Sequence, residues 1–185
     1  MEQFNTLLVA DMLVLPLKPP VHPVLDRRRL QLVTAESAVG IGRALADLAL
    51  REWGFPRSSR SDVRLIVTEL VTNVIRHTDT PSHRIGVLDV ALDLLPYSTV
   101  RVLVWDASAR LPIRRSARAD SEGGRGLLLV EALSACWGSY PVAGGGKVVW
   151  AQVPLGTELA PGSPTAADAP SARVLGRVLD EVRQL

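Results

Sequence analysis

The sequence predicts an α+β fold with helices on one face of a sheet. Three observations carry that prediction. Two early segments place apolar residues at helical spacing, and residues 59–77 do so most strongly in the chain. Beyond residue 84 the apolar period shortens to two over paired segments separated by turns. The order is helices first and then four strands, interrupted by one loop and one short helix. That is not the regular βαβ alternation of a doubly wound fold.

Taken in order, residues 1–26 form an apolar N-terminal extension, apolar from Phe4 to Leu17 and ending in the proline-punctuated LKPPVHPV. Arg28 to Val33 reads as a strand. Thr34 or Ser37 can cap the helix that follows to about Trp53, with Val39, Leu45, Leu48 and Ala49 among its buried positions and Gly54 and Pro56 to stop it. The second helix, Ser59 to His77, carries Val63, Ile66, Val67, Leu70 and Val74 on one stripe. Arg84–Leu94 and Thr99–Trp105 read as strands joined by a turn through Pro96. Residues 107–124 form a loop rich in arginine, serine and glycine, and a short helix runs from Arg125 to about Ala135. Strands near Trp137–Val142 and Lys147–Val153 flank the glycine turn AGGG. Residues 27–155 thus make one domain. Residues 156–172 collapse to a linker of Ala, Pro, Gly, Ser and Thr, and residues 173–185 form a short amphipathic helix.

Composition narrows the function. A chain of 185 residues, 47% apolar and 22% charged, supports one globular domain. A net charge of +2 makes no electrostatic case for nucleic acid, and the four tryptophans are dispersed rather than set in a basic platform. The single cysteine, Cys136, excludes an internal disulfide or a cysteine-cluster zinc site, and a reducing, cytoplasmic setting is expected. The extension opens on Glu2, lacks a basic leader, and is broken by Asp11 and Pro16, so membrane insertion is not expected.

Chemistry concentrates in three places. On the second helix, with Val63 at 0°, Glu69 falls at about 240° and Asn73 at about 280°, one turn apart beside the core stripe. Such a pair can aim a proton acceptor and a hard-cation ligand at one molecule, and it equally fits a solvated polar flank. Asp106 ends the apolar strand RVLVWD, where a carboxylate can accept an exocyclic amine or simply cap a turn. In EGGRGLLLV, Gly124 and Gly126 sit at a helix start, a phosphate cradle or merely a pliant beginning. Five arginines against two carboxylates between residues 110 and 125 favour an anion there, although a charged loop is also at home in water. Other motifs fail. GGGK at 144–147 lacks the first glycine of a P-loop and has Val148 in place of the hydroxyl, and turn glycines account for it. His77 and His83 lack helical metal spacing, and there is no nucleophile elbow.

In this order, ELVTNVIRH (69–77), VWDASARLP (104–112), EGGRGLLLVEALSACWG (122–138) and GKVVWA (146–151) resemble the ATP-binding domain shared by gyrase, Hsp90, histidine kinases and MutL. The resemblance is strongest to its anti-sigma-factor serine/threonine kinase branch, as found in actinomycetes, and spans roughly residues 27–154. It implies the α+β Bergerat-type two-layer sandwich, a mixed, mostly antiparallel sheet with helices on one face, with ATP and magnesium as cofactors. Asn73 would hold magnesium, Glu69 would be the catalytic base, and Asp106 would bind the adenine amine. Gly124, Arg125, Gly126 and Leu127 would wrap the phosphates, with Arg76 and His77 completing the ATP-binding set. Residues 107–122 would form the lid. Two positions depart from the family pattern: Ser108 stands where a glycine is usual, and the threonine near the last strand falls at Val148.

The resemblance further implies a protein that binds a sigma factor and phosphorylates a serine of an anti-anti-sigma antagonist. A homodimer without direct nucleic-acid contact is expected. The alternative is a non-catalytic module, in which ATP sets the shape of a partner-binding surface within a signalling complex.

Overall fold

A computed structural model describes residues 18–77, 85–112 and 125–155. The expected extension up to residue 17, the linker and the C-terminal helix lie outside the described residues, as do His83, Gly124 and most of the arginine-rich loop. Strand β1 covers Asp26–Val33, helix α1 Ser37–Glu52 and helix α2 Ser61–His77. Strands β2 (Val87–Leu95) and β3 (Thr99–Asp106) follow, then helix α3 (Arg125–Leu133) and strands β4 (Cys136–Pro141) and β5 (Lys147–Pro154). The sheet order is β1-β2-β3-β5-β4 and every pairing is antiparallel. The fold is the expected α+β sandwich, with α1 and α2 packed side by side and α2 lying over β3 and β5.

The core lies between the layers. From α2 it takes Val63, Ile66, Val67, Leu70 and Val74, the whole expected stripe, together with Val71. From the sheet it takes alternate residues: Leu88, Val90 and Leu92 of β2, Val100, Val102 and Val104 of β3, and Val149, Ala151 and Val153 of β5. Leu45 and Ala49 of α1 join the same core and Leu48 is fully buried, while Val39 packs at its margin. Gly42 lets the helices close up: a Cβ there would lie 3.1 Å from Val67 Cγ1.

Helix α1 starts and ends by different means. Its N-cap is Glu36 and makes no side-chain cap, so neither Thr34 nor Ser37 serves as expected. Ser37 is already the first helical residue, and the Thr34 hydroxyl is buried without a partner. At the other end Gly54 takes a φ of 81°, Gly54 N–H donates to Arg51 O at 3.1 Å and Phe55 N–H to Leu50 O at 2.9 Å. This is the paired 5→2 and 6→1 closure, sealed by buried Phe55 and Leu50. Trp53 Nε1 donates to Asp26 Oδ2 at 2.8 Å and ties the helix end to the start of β1. The β2–β3 turn takes positive φ at Tyr97 and Ser98, just past the proline expected to make it.

The sheet face turned away from the helices is polar along one line. The register aligns Arg27, Asp93, Arg101, Gln152 and Cys136 across all five strands. Asp93, fully buried, accepts from Arg27 Nε at 2.6 Å and Nη2 at 2.9 Å, and from Arg101 Nη2 at 2.8 Å and Nε at 3.1 Å. Arg101 Nη1 also donates to Pro20 O at 3.2 Å, which fixes the chain before β1 to this face.

Candidate nucleotide site

Two groups of expected residues come together. The first forms where α3 meets α2. Glu69 and Asn73 are half-buried on α2, one turn apart as their spacing requires. Gly126, in the first turn of α3, sits directly against them. A Cβ there would fall 2.5 Å from Glu69 Oε2 and 3.5 Å from Asn73 Nδ2, so only a glycine backbone can approach the carboxylate so closely. Leu127 packs against the core and holds the start of α3 in place. The open backbone amides of a helix N-terminus thus lie beside a carboxylate and an amide, an arrangement suited to a phosphate chain and its counter-ion. Arg76 and His77 are exposed in the last turn of α2, and among the described residues no hydrogen bond or ion pair joins them to Glu69 or Asn73. Gly124 and the Arg125 side chain lie outside what is described.

The second group forms at the end of β3, the strand over which α2 lies. Asp106 is 1% exposed, and alternation turns it to the helix face with Val104. Its Oδ1 accepts the Ser108 N–H at 2.8 Å, so the turn-capping role open to it from sequence is realised. The same oxygen accepts the Lys147 ammonium at 2.9 Å, and Lys147 Nζ also donates to Ser108 O at 3.3 Å. Ser108 Oγ in turn accepts from Arg110 N at 3.2 Å, which braces the turn that glycine would have left loose. Gly146, with a φ of 78°, lets the β4–β5 turn close on β3: a Cβ there would collide with the Asp106 carbonyl and lie 3.0 Å from Trp105 Nε1. Trp105 Nε1 donates to Gly145 O at 3.3 Å across the same turn.

The register corrects one expectation. Asp106 pairs with Lys147, whereas Val148 pairs with Trp105 and belongs to the opposite face. The residue standing beside the carboxylate is therefore Lys147, not Val148. Lys147 was legible in principle. A lysine that keeps alternation with Val149 and Ala151 must share the buried face, a signal that the glycine turn of GGGK masks. Among the described residues no three His, Cys, Asp or Glu side chains form a metal cluster. A cation here would rely on Asn73 and phosphate oxygens, as magnesium commonly does. Cys136 is half-buried. Burial pushes its thiol pKa up, and its S–H donates to Gln152 Oε1 at 3.5 Å, away from both groups.

The fold is that of a histidine-kinase-like ATPase domain. The family model described as "Histidine kinase-like ATPase domain" matches residues 33–153, and the chain belongs to that family. Among solved structures, the RsbU and RsbW domains of Rv1364c from Mycobacterium tuberculosis match with a TM-score of 0.53 at 23% identity. That match covers 69% of this chain and 32% of the other, so the chain spans about a third of that protein, and the likeness is one of fold. No curated protein matches the sequence. Among the described residues no helix is long and apolar enough to cross a membrane.

Proposed function

We propose that this protein is an ATP-binding anti-sigma regulatory factor with serine/threonine protein kinase activity, acting on an anti-anti-sigma antagonist in the cytoplasm. Residues 27–155 form the catalytic domain, and a homodimer and a sigma factor are its further partners. The observation that supports the reading is the close approach of Gly126, at the start of α3, to the Glu69 carboxylate and the Asn73 amide. Family membership supports ATP, usually with magnesium, as the nucleotide. The Rv1364c structure, titled for its RsbU and RsbW domains, supports the regulatory assignment by its fold.

In this mechanism Asn73 would hold magnesium, which when bound would neutralise phosphate charge, and Gly124, Arg125, Gly126 and Leu127 would supply amides and charge to the phosphates. Glu69 takes the proton of the substrate serine hydroxyl as its oxygen bonds to the γ-phosphorus and the bond to the β-phosphate oxygen breaks, releasing ADP. Such transfer rests on positioning and charge, so one base and one metal ligand suffice. Arg76 and His77, in the last turn of α2 beyond Asn73, would complete the ATP-binding set.

Calorimetric titration of magnesium-ATP tests the site. Wild type should bind, and Asn73→Ala should weaken binding at least about tenfold, as loss of a metal-ligand contact would. Glu69→Ala should keep binding and lose phosphorylation of the antagonist serine. Transfer that survives Glu69→Ala would remove the base assignment. Binding without any transfer in wild type would favour the interaction module.

A further inference from the structure

Lys147 is unusual in this chain. Of 21 basic side chains only it and Lys18 are lysines, and Lys147 is 9% exposed inside a buried strand. An arginine at that register would form a bidentate fork on Asp106 and occupy both carboxylate oxygens. The compact ammonium takes one. Among the described residues both hydrogen bonds to the Asp106 carboxylate, from Ser108 N–H and Lys147 Nζ, fall on Oδ1, which leaves Oδ2 as acceptor. The ammonium has three donors, of which Asp106 Oδ1 and Ser108 O take two. The end of β3 therefore presents one carboxylate oxygen beside one unspent cationic N–H.

We infer that Lys147 reads the nucleobase together with Asp106: Oδ2 accepts the adenine N6–H while the third Lys147 N–H donates to ring nitrogen N1. This rests on the ATP reading above and adds a specificity-determining residue to it. A donor and an acceptor side by side complement the adenine edge, which offers one N–H next to one lone pair. Val148, facing the other way, has no part in it. The ion pair also holds the Asp106 carboxylate and the Ser108 turn in place before the base arrives, which lowers the ordering cost of binding.

The test compares magnesium-ATP with magnesium-1-deaza-ATP, which has carbon in place of N1, by calorimetry. Wild type should bind ATP roughly tenfold more tightly than the analogue, the size expected for one hydrogen bond to a charged group. Lys147→Met should abolish that preference. Lys147→Arg, with its fork closed on both oxygens, should weaken both ligands while thermal unfolding shows a folded protein. Equal affinities in wild type, or a preference that survives in Lys147→Met, would overturn the inference and leave the ATP site standing. Failure of wild type to bind ATP at all would overturn both. The wild-type comparison needs no substitution, so it stands even where Lys147→Met unfolds.

Discussion

At the scale of single residues, the buried charge is decisive. Asp93 carries two guanidinium groups and is fully enclosed, and Arg101 has little access to water. Asp93 also raises the Arg27 pKa by its hydrogen bond, so that guanidinium stays charged at any working pH. Removing the carboxylate strands Arg101 as an unpaired buried cation. Asp93→Ala should therefore destabilise the fold by about 3 kcal/mol or more, read from urea unfolding midpoints. Cys136 gives a check on pH. A thiol pKa raised by burial means less thiolate at a given pH, so iodoacetamide should modify folded protein more slowly than unfolded protein near pH ~8. The difference should narrow as pH climbs through the raised value. Equal rates would show that burial does not protect the sulfur.

At the scale of elements, contact between α2 and α3 is controlled by one missing methyl group. Gly126→Ala would drive its Cβ into Glu69, so either the carboxylate turns away or α3 backs off. Magnesium-ATP affinity should fall at least about tenfold, while Gly40→Ala, where nothing lies within 4 Å, should leave it unchanged and gain a little helix stability. Most elements were legible because their signals are local. The α2 stripe, the strand alternation and the glycine turn each lie within a few residues of themselves, and all of them formed. The N-cap of α1 was not legible, because Thr34, Ser37 and Glu36 stand within three positions and the path of the chain out of β1 decides among them. The Asp106–Lys147 pair and the Asp93 cluster depend on which strand lies beside which. Spacing within one segment cannot supply that. Glu69 and Asn73, set one turn apart, could be found from the helix alone. Their meeting with Gly126 could be reached only through resemblance.

For the whole molecule, the site draws on α2, β3, α3 and β5, elements separated by long stretches of chain. A ligand spanning both groups would bind the assembled layers and not the unfolded chain. Saturating magnesium-ATP, at about 100 times its dissociation constant, should then stabilise the fold by about 2.7 kcal/mol, visible as a rise in the unfolding midpoint. Asn73→Ala should lose most of that rise at the same nucleotide concentration. An identical rise in the variant would place the bound nucleotide elsewhere. The family match begins at Val33 and ends at Val153, leaving most of β1 outside it. Yet β1 pairs with β2 along its full length and anchors the end of α1 through Asp26, so the folded unit extends beyond the matched region.

Among the described residues the sheet order leaves β1 and β4 with one unpaired side each. An open strand margin invites another chain to add itself, the first step towards fibrous aggregation. Here one margin carries Arg27, Arg28 and Arg29 in succession, and the other is only six residues long and stops at Pro141. Long, hydrated arginine side chains, each ion-paired within the fold, hinder an incoming strand at the first, and brevity with a missing amide hydrogen discourages it at the second. Between the described parts of two copies, contact through faces is therefore favoured over pairing rim to rim.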